Sequence, residues 1–201
     1  MTPTTDADDW LEAALAAAAR ARVAVFGDFC LDAYWTIDPD ERERSLETDL
    51  PVRRVRTQRY APGGAGNIAS NLAALGVREV RAVGLVGADA FGRLLRDRLA
   101  EAGVDAAGLL DLQPDWQTMV YAKPVVAGVE GRRIDFGAFN VLAPAAADAL
   151  ADRLAAAADE ADAVVVNQQV PAGVATLGMI DRVNALAADR THAVLDRKSV
   201  V

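Results

Sequence analysis

Two stretches of this sequence carry groups suited to holding a ligand. One is Gly27-Asp28-Phe29-Cys30-Leu31-Asp32, directly after the apolar run Val23-Ala24-Val25-Phe26. The other is Pro62-Gly63-Gly64-Ala65-Gly66-Asn67, followed by the apolar-periodic Ile68, Leu72 and Leu75. Glycines gather where backbone turns sharply or approaches something closely, because no Cβ blocks either. A helix that starts straight after them points its first free N–H groups back at the glycines. Such a loop can hold a polar or anionic ligand on main-chain donors, with the Asn67 amide beside them. It can equally be a tight turn before an ordinary helix. For Asp28, bonding to nearby backbone in a turn competes with a ligand role. Asp32, just past the strand, reads as a ligand residue. Cys30 reads as inert core: a thiol nucleophile needs a base, and the one histidine, His192, is far along the chain.

Two familiar phosphate loops are excluded. A P-loop ends in Gly-Lys-Ser/Thr, and no lysine follows Gly66. The dinucleotide fingerprint Gly-x-Gly-x-x-Gly must follow a strand, whereas Gly64 to Ala69 ends in alanine and follows an Arg- and Pro-rich segment. The glycines therefore read as a substrate cradle rather than a nucleotide phosphate loop.

The rest of the sequence must position these residues, and it alternates between two periods. Apolar runs at 23–26, 80–87 and 163–166 predict buried strands of a parallel sheet, with a last short strand at 193–195. Helical spacing predicts helices over 6–20, with Trp10, Leu11 and Leu15 on one side, and over 67–75, 90–102, 144–160 and 172–189. Asp89 is placed to cap the third of these and Gly103 to end it, while Pro144 sits in the first turn of the fourth. Residues 104–112 read as an edge strand, and 118–126 with 132–136 as a β pair. Residues 34–37 and 50–56 alternate apolar and polar around a charged turn, so 34–60 reads as a small β lid with one face to be covered. The alternation predicts an α/β fold built on a doubly wound parallel sheet. Ligands of such sheets gather outside the C-terminal strand ends, where Asp28 and Asp32 fall.

Composition sets limits. The 201 residues are 52% hydrophobic and 25% charged, which fits one α/β domain burying roughly 70% of its unfolded surface. A net charge of −8 disfavours nucleic acid as a partner; the one basic cluster is Arg53, Arg54, Arg56 and Arg59. A single cysteine excludes an internal disulfide and suits a reducing cytoplasm. The acidic start, with Asp6, Asp8 and Asp9, is unlike a signal peptide, and no apolar run reaches the roughly 20 residues of a membrane span.

Five segments in order, VAVFGDFCLDAYW (23–35), LPVRRVRTQRYAPGGAGNIASNLAALG (50–76), VGLVGADAFGRLL (83–95), RRIDFGAFN (132–140) and VVVNQQVPAG (164–173), cover nearly the whole chain. Together they resemble the ribokinase-like (PfkB) carbohydrate kinases, closest to the heptose-phosphate kinase branch of ADP-heptose synthesis. The resemblance implies a three-layer α/β/α sandwich over 1–201 with β-lid insertions around 34–60 and 117–136. It implies a cytoplasmic enzyme, often dimeric through the lid, that moves the γ-phosphate of ATP with Mg²⁺ to the hydroxyl of a sugar or sugar phosphate. By the same resemblance Asp32, Gly63, Gly64 and Asn67 are sugar-binding positions, with Asn71 one helical turn on. Arg133 and Asp135 flank the sugar, and Asn167 lies in the phosphoryl-transfer region.

There are departures from the pattern. Gly76 and Gly87 enclose one residue more than the family signature. No Gly-Ala-Gly-Asp run, the family's source of catalytic base and phosphate-binding amides, occurs in the 201 residues, and the Asn-and-Glu motif associated with Mg²⁺ is missing too. The ending DRKSVV leaves the strand pattern abruptly and back-translates to a common sequencing-adapter read. The expectation is a C-terminally truncated reading frame whose product does not turn over, exposing 193–195 as a sheet edge. A non-catalytic sugar-binding module, a nucleoside kinase of the same fold and an interaction protein built on the lid are the competing readings.

Overall fold

The computed structural model describes residues 6–40, 42–188 and 193–197; His192 and the last four residues of the ending lie outside these. In chain order the elements are α1 (Asp6–Ala18), β1 (Arg22–Gly27), β2 (Phe29–Ile37), β3 (Val55–Gly64), α2 (Ala65–Ala74), β4 (Glu79–Leu85) and α3 (Ala90–Glu101). There follow β5 (Asp105–Leu110), β6 (Met119–Val126), β7 (Val129–Glu130), β8 (Ile134–Phe136), α4 (Pro144–Glu160), β9 (Ala163–Gln168), α5 (Leu177–Ala188) and β10 (Ala193–Arg197).

Five strands form a parallel sheet in the order β10-β9-β1-β4-β5. Strand β1 is apolar throughout its interior because both of its faces are covered. Val23 and Val25 join Val80, Ala82, Ala65, Ala69, Leu95 and Leu99 on the α2/α3 side. Ala24 and Phe26 join Val166, Leu150, Leu154, Met179 and Val183 on the α4/α5 side. Each fully buried Leu or Phe stabilises this α/β/α sandwich by about 1.5–3 kcal/mol. The chain builds outward from β1 through β4 to β5, then returns to lay β9 and β10 on the other side. The reversal falls between β1 and β9, where Gly27 pairs with Asn167, and ligands of such sheets bind in the crevice at that point.

A second sheet has the order β3-β2-β6-β7, with β8 on β6. Strand alternation divides its residues between two faces. Leu31, Ala33, Val120 and Ala122 are buried toward α2 and α3. Phe91 of α3 wedges between Tyr60 and Phe136, at centroid distances of 6.5 and 5.3 Å. The other face carries Cys30, Asp32 and Tyr34 of β2 beside Met119, Tyr121 and Lys123 of β6.

Several expected boundaries move. The glycine stretch is not a loop: Gly63 and Gly64 are the last residues of β3, paired with Cys30 and Phe29, and α2 begins at the next residue. Residues 50–54 make no strand beyond an isolated bridge from Pro51 to Arg44; pairing with β2 starts at Val55 instead. Strand β2 begins at Phe29, well before the predicted Tyr34. Helix α5 starts at Leu177, because 169–174 are drawn into hydrogen bonds with the Asp28 carboxylate and cannot also be helical. Trp10, Leu11 and Leu15 of α1 remain largely exposed. Asp89 caps α3 as expected, accepting from the Gly92 N–H.

Candidate substrate site on the second sheet

The site is built by register. Asp32 lies opposite Tyr121 across β2/β6, and Tyr121 lies opposite Asp135 across β6/β8, so all three share one face. Tyr34 pairs with Lys123 in the same way. Lys123 Nζ donates to Asp32 Oδ1 at 2.6 Å and to the Tyr34 hydroxyl at 3.2 Å. Burial works against the Lys123 ammonium, but these bonds outweigh it and hold its pKa above the usual lysine value. Arg59 stacks on Tyr34, its guanidinium carbon 4.2 Å from the ring centre, so the ring lies against two cations. Arg133 covers Tyr121 at 4.4 Å and grips Asp135 with paired bonds of 2.6 and 2.7 Å.

Beneath these groups the backbone is bare. A Cβ on Gly63 would sit 2.8 Å from Cys30 Sγ and 3.1 Å from Asp32 Oδ2, so glycine lets β3 pass close to the carboxylate. Gly64 has φ 56°, and a Cβ there would collide with the Asp28 carbonyl. That carbonyl also takes the first N–H of α2, from Ala65 at 3.0 Å. Cys30 forms the floor with Met119, Val170 and Tyr121. Burial pushes the Cys30 thiol up to about 12 and the Tyr121 phenol up to about 12, so neither is a nucleophile at neutral pH.

The expected residues are only partly brought together. Asp32, Gly63 and Gly64 adjoin one another, and Arg133 and Asp135 share the Asp32 face. Asn67 and Asn71 are exposed on α2, and among the described residues no hydrogen bond ties either to Asp32. Asn167 is buried at the end of β9 in the other sheet, beside Gly27. Asp28 does not bond nearby backbone; its carboxylate accepts N–H groups from Gln169, Val170 and Val174. The basic cluster is also committed: Arg54 and Arg56 both pair with Asp38, at 2.9 and 3.0 Å. A cavity of about 110 Å³ between β4, β5 and α4 lies toward the N-terminal strand ends, away from this face.

Residues 20–176 match the model of the pfkB family carbohydrate kinases. This chain belongs to that family. It is 36% identical over 172 residues to the D-beta-D-heptose 7-phosphate kinase of Bordetella bronchiseptica, covering 85% of this chain and 50% of that protein. It is 39% identical over 116 residues to the bifunctional protein HldE of Nitrosococcus oceani, covering 58% of this chain and 24% of that protein. The chain thus spans half the length of the first relative and about a quarter of the second. Among solved structures, Escherichia coli phosphofructokinase-2 in complex with fructose-6-phosphate superposes with a TM-score of 0.63 at 20% identity, over 89% of this chain and 55% of that one, a likeness of fold alone.

This pfkB chain thus has the ribokinase-like α/β architecture, and Lys123 and Tyr121 are the residues of its candidate site that the sequence did not single out. The available signal was parity: Lys123 is two residues from Tyr121 in a predicted strand. Without the β2/β6 register nothing links it to Asp32. Among the described residues no three His, Cys, Asp or Glu side chains are grouped to hold a metal ion. None of the described helices is long and apolar enough to cross a membrane.

Proposed function

We propose that this chain is the substrate-binding portion of an ATP-dependent sugar or sugar-phosphate kinase. The observation that carries the reading is the Asp32 carboxylate, held by Lys123 above the bare backbone of Gly63 on the outer face of the second sheet. A carboxylate accepts from sugar hydroxyls, and an ammonium donates to them or to an ester phosphate. Lys123, Arg59 and Arg133 give this face three cations against the carboxylates of Asp32 and Asp135, on a chain of net charge −8. That local excess favours a phosphorylated sugar, as the name of the Bordetella relative also does. By the family resemblance Gly64, Asn67 and Asn71 would extend sugar binding to the start of α2, and Asn167 would belong to the phosphoryl-transfer region. The second sheet acts as lid, and its exposed face suits a homodimer in the cytoplasm.

Phosphoryl transfer depends on positioning and charge neutralisation. In the whole enzyme, ATP with Mg²⁺ would supply the phosphoryl group and its charge compensation. The residues here orient the accepting hydroxyl. With no Gly-Ala-Gly-Asp run in the 201 residues, this polypeptide alone binds the sugar without turning it over.

Titration calorimetry with heptose 7-phosphate and fructose 6-phosphate tests the reading. Saturable binding of a sugar phosphate that Asp32→Ala abolishes supports it. Equal binding by Asp32→Ala, or none by the unaltered chain, sinks it. Sugar-dependent ADP release would overturn the claim of inactivity.

A further inference from the structure

Asp28 is completely buried, and its side chain and backbone serve different elements. Its Oδ2 accepts from Gln169 at 2.8 Å and Val170 at 3.1 Å, and its Oδ1 accepts from Val174 at 2.8 Å. The loop closes this tightly because residue 173 is glycine; a Cβ there would collide with Oδ1. The Asp28 carbonyl meanwhile holds the start of α2 through Ala65 and presses on Gly64. One residue therefore ties the exit of β9 to the glycine end of β3.

We propose that Asp28 is a positioning residue for the site on the second sheet. It acts through Val170, which packs on Cys30, Met119 and Tyr121. Tyr121 in turn carries Arg133, and Arg133 holds Asp135. Fixing the loop thus fixes the floor of the site and the cation above it, while the carbonyl fixes Gly64 beside Gly63. The inference rests on the sugar-site reading for its function, though the coupling itself does not need a ligand. An Asn at position 28 keeps the shape but cannot accept at both oxygens, so its NH₂ must face an N–H donor.

The test is amide hydrogen exchange on the 201-residue chain with Asp28→Asn and with the milder Val170→Ala. Asp28→Asn should speed exchange about tenfold or more at Gln169, Val170, Val174 and Ala65, and also across the β6/β8 pair at 120–122 and 134–136. Val170→Ala should loosen the β6/β8 pair while leaving the Gln169 and Val174 amides protected. Both should weaken fructose 6-phosphate binding about tenfold where the unaltered chain binds it. Faster exchange confined to the loop in Asp28→Asn, or an unchanged β6/β8 pair in Val170→Ala, would overturn the proposal. Should Asp28→Asn fail to fold, the Val170→Ala result decides. A chain that binds no sugar phosphate refutes the functional reading instead, and the exchange pattern still decides the coupling.

Discussion

The Lys123 ammonium donates to the Asp32 carboxylate across 2.6 Å, from one strand of the second sheet to its parallel neighbour. Both side chains are mostly shielded, at 17% and 28% exposed, so solvent screens the pair only in part. The carboxylate proposed to meet a sugar is thereby fixed in orientation before any ligand arrives.

Removing the cation should be costly. Lys123→Met leaves a half-buried carboxylate without its donor and should destabilise the chain by about 1–3 kcal/mol. Adding Asp32→Asn should restore part of this, giving a coupling of about 1 kcal/mol in a double-mutant cycle. Urea unfolding of the four proteins measures it. Strict additivity would mean that the pair contributes nothing.

The two glycines should differ in kind. Gly63→Ala places a methyl against the Cys30 sulfur and the Asp32 carboxylate, both side chains that can give way. It should cost about 1–3 kcal/mol and weaken sugar binding. Gly64→Ala meets backbone, the Asp28 carbonyl, at a positive φ, so its loss of stability should exceed that of Gly63→Ala. Thermal unfolding ranks them.

Cys30 should resist alkylation. It is 2% exposed and burial pushes its pKa up to about 12, so the reactive thiolate is scarce at pH 8. Iodoacetamide should label it readily in guanidinium and scarcely at all in the native chain. Fast native labelling would show that the floor of the site opens.

Stability should fall on the alkaline side. The Tyr121 phenol is raised from 10.0 to about 12, so the unfolded chain releases this proton first. Its contribution is whole below pH 10 and is lost as pH rises toward 12. Lys123, also raised, adds to the loss above about 10.5. Tyr121→Phe should flatten this limb in pH-dependent urea melts; an unchanged slope would assign it elsewhere.

What the sequence disclosed and what it withheld divide along contact distance. Strand β1, the Asp89 cap, Pro144 at the start of α4 and the edge position of β5 follow from local pattern and were legible. The placement of Gly63 and Gly64 in a strand was not, because their partners are Cys30 and Phe29, more than thirty residues earlier. The loop that wraps Asp28 lies 141 to 146 residues away, so a local turn role was the wrong reading. The same capture delays α5, which periodicity alone would start near 172. That Asp32 lies beyond the first strand was legible; its lysine partner was hidden in a register that only the folded sheet defines.

Between the end of β1 at Gly27 and the start of β2 at Phe29 there is one residue of chain. Side chains alternate along β2, so an added residue that shifted its pairing with β3 and β6 by one would swing Asp32 and Tyr34 inward and Leu31 and Ala33 out to solvent. Relatives that share this site should therefore vary freely in the length of the charged turn after Ile37, yet show neither gain nor loss of a residue between the two sheets.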